Sequence, residues 1–187
     1  MLRDPARLAD QGREGVVGNL RDSLSRDLAK WQGQLAGGEL GATHVGGIAG
    51  KAAARFEEYF REVVTGYCSR CSIDYDAEVA PRLGKKATDL SKLTLGELID
   101  CSNFLNQKLT HSLRSQAQAA KQRLASRRLL SPQDIKLLGM INEMRIKLVH
   151  RRQEYDERLR ENTCDLVVWI SEAMQVPFFE LAGVEGA

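Results

Sequence analysis

Apolar residues recur at steps of three and four along most of this chain, and no other feature limits its fold so strongly. This spacing puts apolar side chains on one face of an α-helix, whereas a half-buried strand needs strict alternation. The one β-prone run, 166–170, lies within a helical series and has no hairpin partner. Since the 187 residues include only four prolines, the sequence predicts an all-α protein, an antiparallel up-and-down helical bundle.

Two apolar stripes illustrate the pattern. The first lies near the N-terminus, and the second is rich in aromatic residues. They comprise Leu20, Leu24, Leu28, Trp31 and Leu35, then Phe56, Tyr59, Phe60, Val63, Val64 and Tyr67. Aromatic residues at helical spacing are typical of a core-facing helix rather than of a ligand site. Because three glycines at 12, 15 and 18 weaken the first helix, it is expected to form an N-terminal helical arm.

Glycine and proline positions predict how the chain is divided. Residues 37–50 hold six of the 16 glycines, which predicts a loop or linker. Pro177 is expected to end the last long helix. The predicted organisation is an N-terminal helical arm over 1–36, a glycine-rich linker over 37–50, a helical bundle over 51–176 and a C-terminal tail over 177–187.

Two local signals mark where helices begin. Thr94 and Glu97 have the spacing of a capping box, in which the threonine hydroxyl bonds an orphan backbone N–H and the glutamate reaches back to the cap. Ser131 is a second cap, because Pro132 is suited to the first helical position. We therefore expect helices to begin directly after Thr94 and Ser131.

Charge is distributed unevenly along the chain. Residues 108–152 contain eleven Lys and Arg against two acids, a local net charge of +9 in a chain of net charge +2. Most of the compensating acids lie downstream of this segment. Such asymmetry points to a polyanionic partner, because neutralising phosphates releases counterions. A solvated helix face that keeps the protein soluble explains the same charges equally well.

The cysteines do not indicate a metal or a cofactor. Only Cys68 and Cys71 have a recognisable spacing, and no second Cys or His pair completes a zinc site. A redox pair is typically preceded by a strand, whereas the residues before Cys68 have a helical pattern. We expect reduced cysteines, no metal and no cofactor.

The N-terminus and the hydropathy bear on location. No apolar segment of a secretory signal follows the first basic residues. The longest apolar run, 166–170, is too short to cross a bilayer. The sequence therefore predicts a soluble, cytoplasmic protein with no membrane partner.

Arg145 and His150 stand together in the basic segment. Histidine titrates near neutrality, so it can take or give a proton, while arginine presents a fixed fork of donors to a phosphate. The two side chains can support phosphodiester chemistry without a metal. A solvated surface or a partner contact accounts for the same two residues, so they do not establish activity by themselves.

Two stretches of the chain resemble the HEPN superfamily of small helical domains. The first is 94–99, Thr-Leu-Gly-Glu-Leu-Ile, and the second is 141–150, Ile-Asn-Glu-Met-Arg-Ile-Lys-Leu-Val-His. In that family a similar helix start precedes a helix with an Arg-polar-x-x-x-His motif. The resemblance covers roughly 51–174. It implies a helical bundle that forms a homodimer through the motif helix and often acts as a metal-independent endoribonuclease in toxin–antitoxin, phage-defence (antiviral) or RNA-processing systems.

The resemblance also implies roles for individual residues. Arg145 matches the family arginine and His150 the histidine, and these two are the expected catalytic residues. The polar position of the motif is Ile146 here, and Asn142, one turn earlier, can supply the missing polar group. Binding of the RNA backbone is expected to involve Asn142, Lys147, Arg151 and Arg152. A cognate antitoxin or sensor protein is a further expected partner.

Ile146 also supports an alternative function. In an α-helix, Arg145 and His150 lie about 140° apart around the axis, and isoleucine cannot hydrogen-bond within a site between them. The alternative is a catalytically silent dimerisation, adaptor or RNA-binding module. In such a module, Arg145 and His150 would hold interhelical contacts.

Overall fold

The structure, a computed structural model, describes residues 5–71, 73–84, 89–115, 129–150 and 158–179. Within these ranges every regular element is helical, which confirms the all-α prediction for the described part of the chain. The α-helices are α1 (Pro5–Ala36), α2 (Ala42–Arg70), α3 (Leu95–Ser115), α4 (Pro132–Arg145) and α5 (Arg158–Ala173). Two π-helices cover Tyr75–Val79 and Ile146–His150, and two 3-10 helices cover Asp89–Lys92 and Pro177–Phe179.

Helix α2 lies at the centre and packs against the other four α-helices. Its aromatic stripe is buried as predicted, with Phe56, Tyr59 and Phe60 at 0% exposure. Burial of large aromatic side chains supplies much of the hydrophobic free energy of a core. Among the described helices, none combines the length and the apolar character that a membrane-spanning segment needs.

Helix α1 contributes to the same core. Leu24, Leu28, Trp31 and Leu35 are buried, and α1 packs on α2 and α5. Arg160 of α5 donates hydrogen bonds to the carbonyl of Leu35, close to the end of α1. Over this stripe α1 is therefore part of the bundle core rather than a separate arm.

The loop predicted over 37–50 is wrong from Ala42 onward, because α2 begins there. Each glycine in a helix costs up to about 1 kcal/mol relative to alanine, and this cost underlies the loop prediction. The apolar residues between the glycines offset it, since Val45, Ile48 and Ala49 are at most 3% exposed. Within 37–50, only residues 37–41 are non-helical, and the remaining domain bounds stay predictions.

Both predicted helix starts are confirmed. The backbone N–H of Thr94 donates to Glu97 at 2.7 Å, and the N–H of Glu97 donates to the Thr94 hydroxyl at 3.5 Å. Ser131 and Asp134 form a second reciprocal capping box at the start of α4. These caps satisfy backbone donors that the first helical turn leaves without partners.

The predicted C-terminal tail begins with a buried element. Phe178 and Phe179 are 0% and 1% exposed. The ring of Phe178 stacks on Tyr67 with centroids 4.3 Å apart, and the Tyr59 hydroxyl donates to the carbonyl of Phe179 at 2.9 Å. Pro177 thus precedes two aromatic residues that pack against α2. Residues 180–187 lie outside the described part of the chain.

Alkaline pH is expected to destabilise the protein through Tyr59. Burial raises the pKa of Tyr59 to about 12, and the charge of Arg21 opposes this only in part. Between about pH 10 and 12 the unfolded chain has lost this proton while the folded chain keeps it, so the free energy of unfolding falls as pH rises. A two-unit shift corresponds to about 2–3 kcal/mol, present in full below pH 10.

Urea unfolding followed by circular dichroism at pH 9, 10, 11 and 12 measures this loss. In Tyr59→Phe the decline above pH 10 should be smaller, because only other groups, such as Tyr75, whose pKa burial also raises to about 12, still contribute. An equal decline in the wild type and in Tyr59→Phe would contradict the assignment.

Candidate functional site

Arg145 is the last residue of α4, and a glutamate of α2 holds its guanidinium. Nη2 of Arg145 lies 2.9 Å from Oε2 of Glu57, and each side chain is only 17% exposed. A charge-assisted hydrogen bond shielded in this way is stronger than an exposed ion pair. The predicted catalytic arginine is therefore anchored to the central helix.

Glu57 joins three helices through one carboxylate. Its Oε2 also accepts a hydrogen bond from the backbone N–H of Leu95, the first residue of α3, at 3.1 Å. Its Oε1 accepts one from Nη2 of Arg61 at 3.2 Å, and the same nitrogen donates to the carbonyl of Leu93 at 2.9 Å. A carboxylate at a helix N-terminus and between two arginines is electrostatically favourable. This network ties α2 to the start of α3 and to the end of α4.

The two stretches that carry the HEPN resemblance touch each other. Nδ2 of Asn142 would lie 3.3 Å from a Cβ at Gly96, in the first turn of α3. Glycine at this position therefore lets α3 approach α4 closely. The segment 94–99 thus packs directly on the helix that carries Arg145.

The helix changes its form between Arg145 and His150. Helix α4 ends at Arg145, and Ile146–His150 is a π-helix. The expected separation of about 140° assumes α-helical geometry. In a π-helix the backbone hydrogen bonds join residues five apart, so a turn holds more residues than an α-helical turn and each residue rotates the chain by less. The 140° expectation holds for an uninterrupted α-helix, and π-helical geometry over Ile146–His150 makes the angle between positions 145 and 150 smaller than that.

Ile146 and Val149 are exposed apolar residues on this π-helix, each at 40% exposure. The isoleucine that departs from the family motif is thus at the surface. Lys147, between them, is partly exposed, as is Asn142 one turn before Ile146. Two of the predicted RNA-binding residues therefore accompany Arg145 on one continuous helical segment.

The remaining predicted site residues are not described in full. The backbone of His150 belongs to the π-helix, but its side chain is outside the described part of the structure, as are Arg151 and Arg152. Their predicted roles stay predictions. The other two histidines, His44 and His111, are exposed and belong to other helices.

The cysteines are free thiols, and two of them interact. Cys68 of α2 and Cys101 of α3 are buried side by side. A hydrogen bond between their side chains lowers the pKa of Cys68, and that bond together with burial raises the pKa of Cys101. In the ranges that the structure describes, no group of three or more His, Cys, Asp or Glu is placed to hold a metal ion.

A cavity of about 250 Å³ lies beside α3. Its lining consists of Val79, Arg82, Leu83, Asp100, Asn103, Phe104 and Gln107. Cζ of Arg82 lies 4.7 Å from the centroid of the Phe104 ring, and Nζ of Lys108 lies 5.6 Å from it. None of the predicted site residues lines this cavity.

Glu57 and Arg61 belong to the site, although neither is part of the motif around Arg145. The one available signal is local: charges of opposite sign four residues apart on a helix tend to pair. That spacing accounts for the Glu57–Arg61 pair, but it contains no information about Arg145. Packing of α4 on α2 brings the three charged groups together.

No protein-family model, curated protein or solved structure matches this chain. The resemblance to HEPN domains therefore depends on the two short stretches alone.

Proposed function

We propose that this protein is a HEPN-like, metal-independent endoribonuclease, an antiparallel helical bundle that cleaves single-stranded or loop RNA as a homodimer. The observation that carries the proposal is the π-helix that follows Arg145. Single π-turns are frequent at functional sites, and π-helical geometry favours a smaller angle between positions 145 and 150 than an α-helix would give. A basic helical segment with an anchored arginine suits a phosphate substrate.

The proposed reaction is attack of the ribose 2′-hydroxyl on the adjacent phosphate. His150 takes the proton of the 2′-hydroxyl, and the new bond from the 2′-oxygen to phosphorus displaces the 5′-oxygen. That oxygen receives a proton from His150 of the partner subunit. Arg145 stabilises the negative charge that builds up on the phosphate oxygens. The products carry a 2′,3′-cyclic phosphate and a 5′-hydroxyl.

The substrate and its partners follow from this reaction. In-line attack requires a nucleotide that can rotate, which favours single strands and loops. Lys147, Arg151 and Arg152 would contact the RNA backbone, with Asn142 as a neutral donor, and such contacts position RNA without transferring protons. A role in a toxin–antitoxin or phage-defence system, with an antitoxin or sensor protein as partner, is part of the proposal.

Dimerisation is expected to depend on the exposed apolar side chains of the π-helix. Light scattering at micromolar concentration should give about twice the chain mass of 20.8 kDa. Val149→Asp should reduce this to a single chain, because it places a charge in the contact. Val168→Asp is the matched control, since Val168 of α5 is 42% exposed but lies outside the motif helix. A monomeric wild type would contradict a site shared by two subunits.

Purified protein is expected to cleave total RNA in the presence of EDTA and to leave 2′,3′-cyclic phosphate ends. A 2′-hydroxyl nucleophile needs a base and charge stabilisation, whereas hydrolysis by water commonly depends on a metal ion. His150→Ala should lower the rate by about 10²-fold or more, as loss of a general acid or base does.

His111→Ala is the control for this experiment, because His111 is an exposed histidine of α3. His111→Ala should retain the wild-type rate. If His150→Ala loses cleavage while His111→Ala keeps it, a contaminating ribonuclease is excluded as the source of the cleavage. Cleavage that EDTA abolishes, or that survives in His150→Ala, would contradict the proposed reaction.

A second candidate function is a catalytically silent dimerisation, adaptor or RNA-binding module. The Arg145–Glu57 ion pair favours it, since an arginine that joins two helices has a sufficient structural role. In this case RNA would bind in a salt-dependent manner, and neither the wild type nor any variant would cleave it.

A further inference from the structure

The guanidinium of Arg145 is held by a carboxylate that cannot easily move. Glu57 uses both of its oxygens: Oε1 binds Arg61, and Oε2 binds Arg145 and the N–H of Leu95. Arg61 is itself tied to the carbonyl of Leu93. The carboxylate is therefore fixed by partners on α2 and at the start of α3, independently of Arg145.

This arrangement fixes the orientation of the Arg145 guanidinium, which is charged with or without Glu57. An arginine side chain has many rotamers, and a free one at the end of a helix would have to be ordered during each reaction. One Nη group bonded to a fixed carboxylate orients the planar fork in advance. Pre-organised donors stabilise a transition state more effectively than flexible ones.

The position of Arg145 in the helix is a second reason why its side chain needs to be fixed. It is the last residue of α4, directly before the change to a π-helix. A link to the rigid central helix fixes its side chain from outside that junction. Glu57 in α2 provides the link, and α3 packs closely on α4 at Gly96, where a Cβ would lie 3.3 Å from Nδ2 of Asn142.

We propose that Glu57 is a positioning residue, which holds the Arg145 guanidinium in the orientation that binds the scissile RNA phosphate. The inference rests on the proposed endoribonuclease function. The Glu57–Arg145 ion pair would then raise the rate of the cleavage step in addition to joining two helices. Glu57 contacts Arg145 and does not itself touch the RNA.

Glu57→Gln tests this proposal, with Glu58→Gln as the matched control. Glu58 is the next residue of α2 and is exposed. Single-turnover cleavage in EDTA, at a temperature where circular dichroism shows each variant folded, should give a chemical rate about 10- to 100-fold lower in Glu57→Gln. The RNA concentration at half-maximal rate should change by less than about threefold, because the basic segment that binds the backbone is intact. Glu58→Gln should match the wild type in both quantities.

Chemical rescue separates positioning from a purely structural role. Added guanidinium ion should restore part of the activity of Arg145→Ala, because Glu57 still offers its carboxylate, and should not restore it in Glu57→Gln with Arg145→Ala. Equal rescue in both backgrounds, or a chemical rate in Glu57→Gln equal to that of Glu58→Gln, would overturn the inference while leaving the endoribonuclease proposal intact. A wild type that cleaves no RNA would overturn both.

Discussion

Replacing Phe179 by alanine is expected to lower the free energy of unfolding by about 3–5 kcal/mol, the usual cost of removing a buried aromatic ring. Phe179 is 1% exposed. Its ring centroid lies 4.9 Å from that of Phe60, 5.4 Å from Phe178 and 5.8 Å from both Phe56 and Tyr59. Alanine would leave a cavity among four rings that are themselves buried. Since single domains have total stabilities of about 5–15 kcal/mol, the loss should be obvious.

The change is measured as the shift of the urea midpoint, with the slope of the transition as a check on two-state unfolding. Val168→Ala is the control, because Val168 is 42% exposed and its truncation should cost less than about 1 kcal/mol. A Phe179→Ala protein within about 1 kcal/mol of the wild type would mean that the C-terminal aromatic pair does not complete the core.

The helices of this protein can be predicted from its sequence because their signals are local. The stripe from Phe56 to Tyr67 repeats at the helical period, and those side chains are buried. The caps at Thr94 and Ser131 depend on residues three positions apart, and both form as expected. In each case the interacting groups lie within one or two helical turns, so spacing alone determines the outcome.

Two features could not be predicted because they depend on tertiary packing. Glycines at 46, 47 and 50 disfavour a helix locally, but burial of Val45 and Ile48 in the bundle outweighs that preference. Likewise Pro177 correctly indicates the end of a helix, but it does not indicate which helix the Phe178 side chain packs against. Its site against Tyr67 exists only once α2 has formed the core.

In the candidate site, too, local features can be predicted from the sequence and features that depend on tertiary packing cannot. Arg145 is recognisable from the motif, whereas its partner Glu57 is brought to it by the packing of α4 on α2. Residue spacing predicts an α-helix through 141–150, but the backbone becomes a π-helix after Arg145. A π-turn is rare and is maintained by its surroundings, so periodicity cannot reveal it. The structure therefore adds the partner of Arg145 and the helix form that follows it, neither of which the motif contains.

Replacing Arg145 by alanine is expected to affect both cleavage and stability, in ways that can be separated. Loss of a donor to the charged transition state should lower the cleavage rate by about 10²- to 10³-fold. Glu57 would lose one of its partners, and an unpaired buried charge costs about 3–5 kcal/mol. Because both side chains are 17% exposed and Glu57 keeps Arg61 and the N–H of Leu95, the cost here should be about 1–2 kcal/mol. RNA cleavage in EDTA and urea unfolding measure the two effects.

A double variant distinguishes the catalytic role of Arg145 from its structural one. In Glu57→Gln with Arg145→Gln, two neutral amides can still hydrogen-bond, so part of the stability lost in Arg145→Ala should return; recovery is incomplete because Arg61 also loses its carboxylate partner. Cleavage should stay as low as in Arg145→Ala, because no guanidinium is present to stabilise the phosphate charge. Lys30→Ala, at an exposed lysine of α1 outside the basic segment, should change neither quantity. If cleavage recovers together with stability in the double variant, Arg145 is a structural residue and the silent-module function is favoured.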